Sequence, residues 1–262
     1  TNDLIVLEKT ILNMGTLLVS MLAYPWLKNH KHVLEFYILL LSTLLGMFFM
    51  ISSGNILMFY LGLELSTIPL AAIVNFDLSR RQSSEAAMKL IISSAFSSGL
   101  LLFGISLLYG TVGSLDFGSI SQKLDGSALQ LFSIILLIAG FGFKISIVPF
   151  HLWTADVYEG APATVTAYLS VISKAAFVFV FTAVLYNVFK AYHESWYNML
   201  YLLSILTMLI GNLFAIRQNN LKRFLAFSSI AQVGFILLAI SSDDFHMGST
   251  AVIYFVLVYI FS

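Results

Sequence analysis

Phe141-Gly-Phe-Lys144-Ile-Ser-Ile-Val-Pro149-Phe-His151-Leu-Trp153-Thr-Ala-Asp156-Val-Tyr-Glu159-Gly-Ala-Pro162 is the stretch on which the reading of this chain turns. The apolar run from Leu129 to Phe150 is long enough to span a bilayer. Near its end it carries a lysine, with glycines at 140 and 142 and a proline five residues past the lysine. A lysine in hydrocarbon costs at least ~2.5 kcal/mol even on lenient insertion scales. Proline removes a backbone donor and clashes with the preceding turn. A helix that carries both is expected to break, and the break has to lie inside protein or beside water. That combination points to an ion path.

Composition sets the class. Of 262 residues, 59% are apolar and 10% charged, against about 25% charged in a soluble domain. Mean hydropathy is +0.93. The chain is expected to be an all-α, polytopic transmembrane helix bundle with at least one broken helix. The net charge of zero offers nothing to nucleic acid, and the absence of cysteine excludes disulfides, iron–sulfur clusters and thiolate metal sites within this chain. Thr1-Asn-Asp3 opens directly into an apolar run, without a signal peptide. The run from Thr250 to Ser262 is too short to cross. Both ends therefore read as cut, and the chain as a fragment.

Nine apolar segments are expected, near 4–26, 33–53, 55–75, 84–110, 128–150, 163–189, 197–216, 222–241 and 248–262, in a single transmembrane domain covering 1–262. Loops after the odd-numbered segments hold Lys28, Lys31, Arg80, Arg81, Arg217, Lys222 and Arg223, and those after the even-numbered ones only Lys123 and Lys190. The positive-inside rule puts the first set in the cytoplasm or its equivalent, and Thr1 on the other side. The 151–162 connection departs from this trend, holding Asp156 and Glu159 and no basic residue. A loop that ignores the charge rule is expected to fold back into the protein. The connection 111–127 reads as a polar, turn-rich outer loop. Trp26, Trp153 and Trp196 are expected at the interfaces. The similarity of Leu90–Ile105 to Leu225–Ile240 is attributed to chance.

Four ionisable residues fall within spans rather than at their ends: Glu64, Lys89, Lys144 and Lys174. An unpaired carboxylate at Glu64 would take up a proton. Its proline lies five residues on, the same offset as Lys144 to Pro149. Lys89 has Glu85 four residues earlier as a partner, with snorkelling as the competing reading. Lys174 is too deep to snorkel, and its competing reading is a fixed ion pair. Burial disfavours a lysine's charged form and a neighbouring carboxylate favours it. Lysines at mid-depth biased by one glutamate therefore make a switchable proton relay. His151 is weighed equally as a relay group and as an interfacial histidine. No phosphate-binding glycine loop or metal-spaced histidine cluster is present.

These residues resemble the antiporter-like proton-pumping subunits of respiratory complex I, NADH–quinone oxidoreductase, in particular the branch called subunit N (subunit 2 in mitochondria and plastids). The resemblance rests on Gly54–Pro69 with Glu-Leu-Ser-Thr-Ile-Pro, on Glu85–Lys89 with the Ser-Ser-Ala-Phe-Ser-Ser-Gly that follows, and above all on Phe143–Pro162. Ser173-Lys174 and Asn219–Gly234 add to it. It implies part of a fourteen-helix fold with inverted repeats. It also implies that Glu64, Lys89, Lys144 and Lys174 match the family's intramembrane glutamate and lysines. No redox cofactor is expected in such a subunit, since NADH, flavin, iron–sulfur clusters and quinone serve elsewhere in the complex. The implied partners are other membrane-arm subunits and the lipid bilayer. The implied place is a bacterial inner membrane, with a mitochondrial inner or thylakoid membrane as the alternative. Where relatives commonly carry a histidine, this chain has Gln232, which cannot titrate. The rival functions are a subunit of a multisubunit Na⁺/H⁺ antiporter and a purely structural membrane subunit.

Overall fold

The structure, a computed structural model, describes residues 2–242 and 244–261. Thr1 and Ser262, the limits of the expected domain, lie outside the described residues, as does Asp243. The chain is helical throughout: α1 Asn2–Leu27, α2 Val33–Ser52, α3 Ile56–Val74, α4 Arg81–Val112, α5 Phe117–Gln122, α6 Ala128–Ile145, α7 Leu152–Gly160, α8 Ala163–Ala167, a π-helical turn Tyr168–Ser173, α9 Lys174–Asn187, α10 His193–Ile216, α11 Leu221–Ile240 and α12 Phe245–Phe261. Among the described residues, eight helical stretches are long and apolar enough to cross a membrane, the segment from α8 through α9 counting as one. The shorter α12 is also apolar.

Local chemistry starts and stops these helices. Asn55 caps α3, its side chain accepting from the Leu57 amide at 2.8 Å, and Asn220 caps α11 by accepting from the Lys222 amide at 2.9 Å. Gly113 ends α4 in the left-handed region at φ 69, with its amide donating to the Tyr109 carbonyl at 2.8 Å. The outer connection that read as plain loop contains α5, which Asp116 caps through the Ser119 amide at 3.2 Å.

The bundle is built around α9. In the most apolar 18 residues of 163–187, 83% of the residues are buried, against 28% in those of 190–216, so α9 is apolar because other helices surround it rather than lipid. Trp196 corrects the interfacial assignment. It is 1% exposed, and its indole donates to the Phe189 carbonyl at 3.0 Å, packed by Tyr186 and His193. Trp26 remains exposed. The α2–α3 pair closes at Gly62, where a Cβ would meet the Met50 amide nitrogen at 2.7 Å. With no hydrophobic drive between helices in lipid, such close backbone approach supplies the packing.

The expected break is present, at a different residue. α6 stops at Ile145, before Pro149, because Ser146 turns into the left-handed region at φ 68. A non-glycine residue pays roughly 1–2 kcal/mol there, and its surroundings hold it. Thr154 donates to the Ser146 hydroxyl at 2.6 Å, the Val148 amide to Thr207 at 3.1 Å, and the Trp153 indole to the Phe143 carbonyl at 2.9 Å. Backbone groups freed by the break thus find partners inside the protein, as spanning structure requires. The 151–162 connection folds back as α7, which packs on α4 and α11.

Candidate functional site

Two of the expected lysines are fully enclosed. Lys144, in the last turn of α6, is 8% exposed. Its ammonium donates to Ser94 on α4 at 2.6 Å and more weakly to Thr67 on α3 at 3.4 Å. Both partners are hydroxyls, so the charge is solvated without being neutralised by direct contact. Glu64 lies one turn before Thr67 on α3 and accepts from the Ser98 hydroxyl, one turn beyond Ser94 on α4. The four side chains bracket Lys144: Glu64 and Thr67 from one helix, Ser94 and Ser98 from the other. Glu64 is within electrostatic reach of the ammonium but forms no ion pair with it among the described residues.

Lys174 opens α9 directly after the π turn and is 4% exposed. It donates to Ser229 on α11 at 2.9 Å, and its ammonium sits 5.4 Å from the centroid of the Tyr158 ring on α7, a cation–π distance. Ser229 also joins Tyr259 of α12 by a hydrogen bond. No carboxylate contacts Lys174 among the described residues, so the fixed ion pair weighed from the sequence is not there. The π turn accommodates one residue more per turn than an α-helix, and such turns concentrate at functional sites.

A cavity of about 30 Å³ joins the neighbourhoods of the two lysines. Thr67, Ser93, Ser94, Ser97, Lys144 and Ser173 line it. A space of ~10–15 Å³ suffices for one water molecule when it has polar partners. Leu70, Leu90, Phe143, Trp153, Leu169 and Phe177 complete the lining, so the hydroxyls form one polar side of a largely apolar space that reaches from Lys144 to Ser173, the residue before Lys174.

Lys89 sits apart from this pair. Its side chain is 40% exposed and bridges Glu85 at 2.8 Å and Asp156 at 2.6 Å. Asp156 also accepts from Arg223 at 2.7 Å, and Arg223 reaches Glu159 at 2.9 Å. Lys222 donates to the Ala161 carbonyl at 2.7 Å. This charged network pins α7 to α4 and α11 at one end of the bundle, around a cavity of about 220 Å³. Partial burial pushes the Asp156 carboxyl up, but hydrogen bonds and charge from Lys89 and Arg223 outweigh it and hold the group below its usual value. Arg223 and Lys222 explain why the 151–162 connection has no basic residue: α11 supplies the counter-charges.

His151 caps the start of α7, 5% exposed, with its ring stacked on Phe214 at 6.4 Å. Neither ring nitrogen makes a well-formed hydrogen bond among the described residues. The hydroxyl partners Ser94, Ser98, Thr67, Ser229 and the Tyr158 ring escaped sequence reading, because serine and threonine in a span carry no signal of which helix they face. Gln232 lies on α11, one turn from Ser229.

Residues 53–262 match the family described as NADH:quinone oxidoreductase/Mrp antiporter, transmembrane. The chain is 51% identical to NADH-quinone oxidoreductase subunit N of Phocaeicola vulgatus over 256 residues, covering 96% of this chain and 54% of that protein. A chain of respiratory complex I from Thermus thermophilus superposes with a TM-score of 0.80 at 31% identity, covering 97% of this chain and 55% of the other. A chain of the Mrp complex from Dietzia superposes at 0.82 with 20% identity, over 97% of this chain and 48% of the other, a likeness of fold alone. The chain spans about half the length of the curated relatives it matches. With eight stretches long and apolar enough to cross a membrane among the described residues, and bacterial relatives, it is a multi-pass inner-membrane protein.

Proposed function

We propose, since this chain belongs to the NADH:quinone oxidoreductase/Mrp antiporter transmembrane family and is a homologue of subunit N, that it translocates protons in the membrane arm of an NADH:quinone oxidoreductase. The observation that carries the reading is the enclosed pair Lys144 and Lys174, each solvated by hydroxyls, with a small cavity that carries serine and threonine hydroxyls from Lys144 to Ser173 beside Lys174. Intramembrane ionisable groups of this kind are functional by default.

In this reading the charge on Glu64 decides whether Lys144 keeps its proton. While Glu64 is ionised, the Lys144 ammonium is stabilised across the Ser98–Ser94 turn of α4. When that charge is withdrawn or neutralised, the proton passes along the hydroxyls of the cavity. The ammonium of Lys144 becomes an amine and the amine of Lys174 an ammonium. Ser229 and the Tyr158 face hold the second charge until a group outside this chain's residues accepts the proton. Lys89, paired to two carboxylates, stands at the inner mouth as the charge that faces water. His151, beside the break, is kept as a relay group of the same proposal. Electron transfer from NADH through flavin and iron–sulfur centres to quinone belongs to partner subunits, and other membrane-arm subunits and lipid surround this chain.

Replacing Lys144 by alanine in the assembled complex tests this. Proton translocation per quinone reduced should fall at least tenfold while the complex stays intact, and wild-type translocation would sink the proposal. The competing reading, a multisubunit Na⁺/H⁺ antiporter subunit, draws on the shared fold. Co-purification with flavin and iron–sulfur proteins decides between them. A purely structural subunit would instead tolerate neutral replacement of Glu64 and Lys174 with transport intact.

A further inference from the structure

Glu8 falls near the end of an apolar run in the sequence, where a carboxylate ordinarily reaches water. The structure buries it. It is 7% exposed on α1, while its neighbour Lys9 turns away to the Ser52 hydroxyl and the Phe48 ring. Glu8 has no hydrogen-bond or ion-pair partner among the described residues. It faces a cavity of about 480 Å³ between the N-terminal ends of α1 and α12 and the C-terminal ends of α2 and α9. Leu4, Ile5, Phe179 and Val184 make the walls apolar, and the exposed His246 stands at the mouth.

We propose that this cavity binds an amphiphilic organic cation, a primary ammonium with an apolar body, whose charged head pairs with Glu8. Three features select that chemistry. A volume of this size is in the range of small-molecule sites, roughly 300–1,000 Å³. Apolar walls favour a hydrocarbon body over a hydrated metal ion. A buried carboxylate without a partner is strongly disfavoured, and an ammonium supplies both the missing charge and three donors. The helix rise of ~1.5 Å per residue places Glu8 about 9 Å along α1 from Asn2, so a short chain reaches it from that end of the bundle. The site is separate from the Lys144–Lys174 cavity and does not depend on the relay.

The test uses the assembled complex in proteoliposomes and a C8 primary amine with a photoreactive diazirine at its tail. Crosslinks are located by peptide mass spectrometry. Labelling is expected within residues 4–8 and 179–188, displaced by excess octylammonium and not by octanol. Glu8→Gln should cut it at least tenfold. Assembly of that variant is read from quinone reductase activity. Ala183→Phe, which fills the cavity with Glu8 intact, should give the same loss. Vesicles of phosphatidylcholine with and without phosphatidylethanolamine identify the natural source: competition by the latter assigns the ammonium to a lipid headgroup, and its absence to a free amine. Equal labelling by the amine and the matching alcohol, or labelling unchanged in Glu8→Gln, overturns the proposal. So does reaction of Glu8 with dicyclohexylcarbodiimide in the absence of amine labelling, which marks a carboxyl that only carries a proton.

Discussion

Lys89 and Lys144 are the same residue type in apolar helices, and the fold treats them in opposite ways. Lys89 meets two carboxylates with its side chain 40% exposed, whereas Lys144 meets two hydroxyls and is buried. The first holds its proton in a saturated, partly hydrated network. The second has solvation without neutralisation, which is what the proposed relay asks of a group that answers to Glu64. What separates a clamp from a candidate relay group is the chemistry of the partners, more than depth.

The sharpest way to break that contrast is to remove the amines one at a time. In the proposed relay, Lys174→Met should cost at least tenfold in protons translocated per quinone reduced. Lys89→Met should cost less than twofold. Equal losses would merge the two classes, and a reversed order would move the relay to the inner face.

A smaller effect is expected at the clamp itself. Asp156→Asn removes two partly exposed ion pairs, each contributing about 0.2–1 kcal/mol. Amide exchange over 152–160 should then rise roughly fivefold at pH 7, corresponding to ~1 kcal/mol of local opening. The pH dependence has a definite sign. Because the folded protein holds Asp156 below its ordinary value, the carboxylate contributes its full stability above an unfolded pKa of about 3.9. That stability is lost as pH falls through the lower, folded value. The variant and the wild type should therefore differ near neutrality and converge in strong acid. Exchange that already converges at pH 6 would show that the network does not hold α7.

The smallest change is expected from Ser98→Ala, which leaves every charge in place. It removes the hydroxyl contact to Glu64, and about a twofold loss of translocation is expected if coupling runs through that turn of α4. No loss, alongside a large one for Glu64→Gln, would place the coupling through space rather than through the hydroxyl.

Much of the architecture was legible because bilayer physics is simple. Apolar runs of about 20 residues had to be helices, and Lys144 with Pro149 had to disturb one. Glu64, Lys144 and Lys174 stood out because ionisable groups at mid-depth are costly. Other features left no trace. The break falls at Ser146 through a backbone conformation that serine adopts only under external support. The π turn is a surplus residue, invisible to any periodicity. Glu8 lay at an ordinary span end in the sequence, and only the way α1 meets α2, α9 and α12 buries it. Trp196 misled because a place near a span end does not tell whether the ring faces lipid or, as here, Tyr186 and His193.

The wide turn at Tyr168–Ser173 has a mechanical consequence. An α-helix advances about 100° per residue, so a bulge that migrated by one position along the α8–α9 stretch would re-aim every side chain it passed by that angle. Lys174 is the first residue beyond it. Such a shift would turn the amine about the helix axis without changing the number of residues in the span. Its hydrogen bond to Ser229 and its place over the Tyr158 ring are the contacts that any such turn would have to give up.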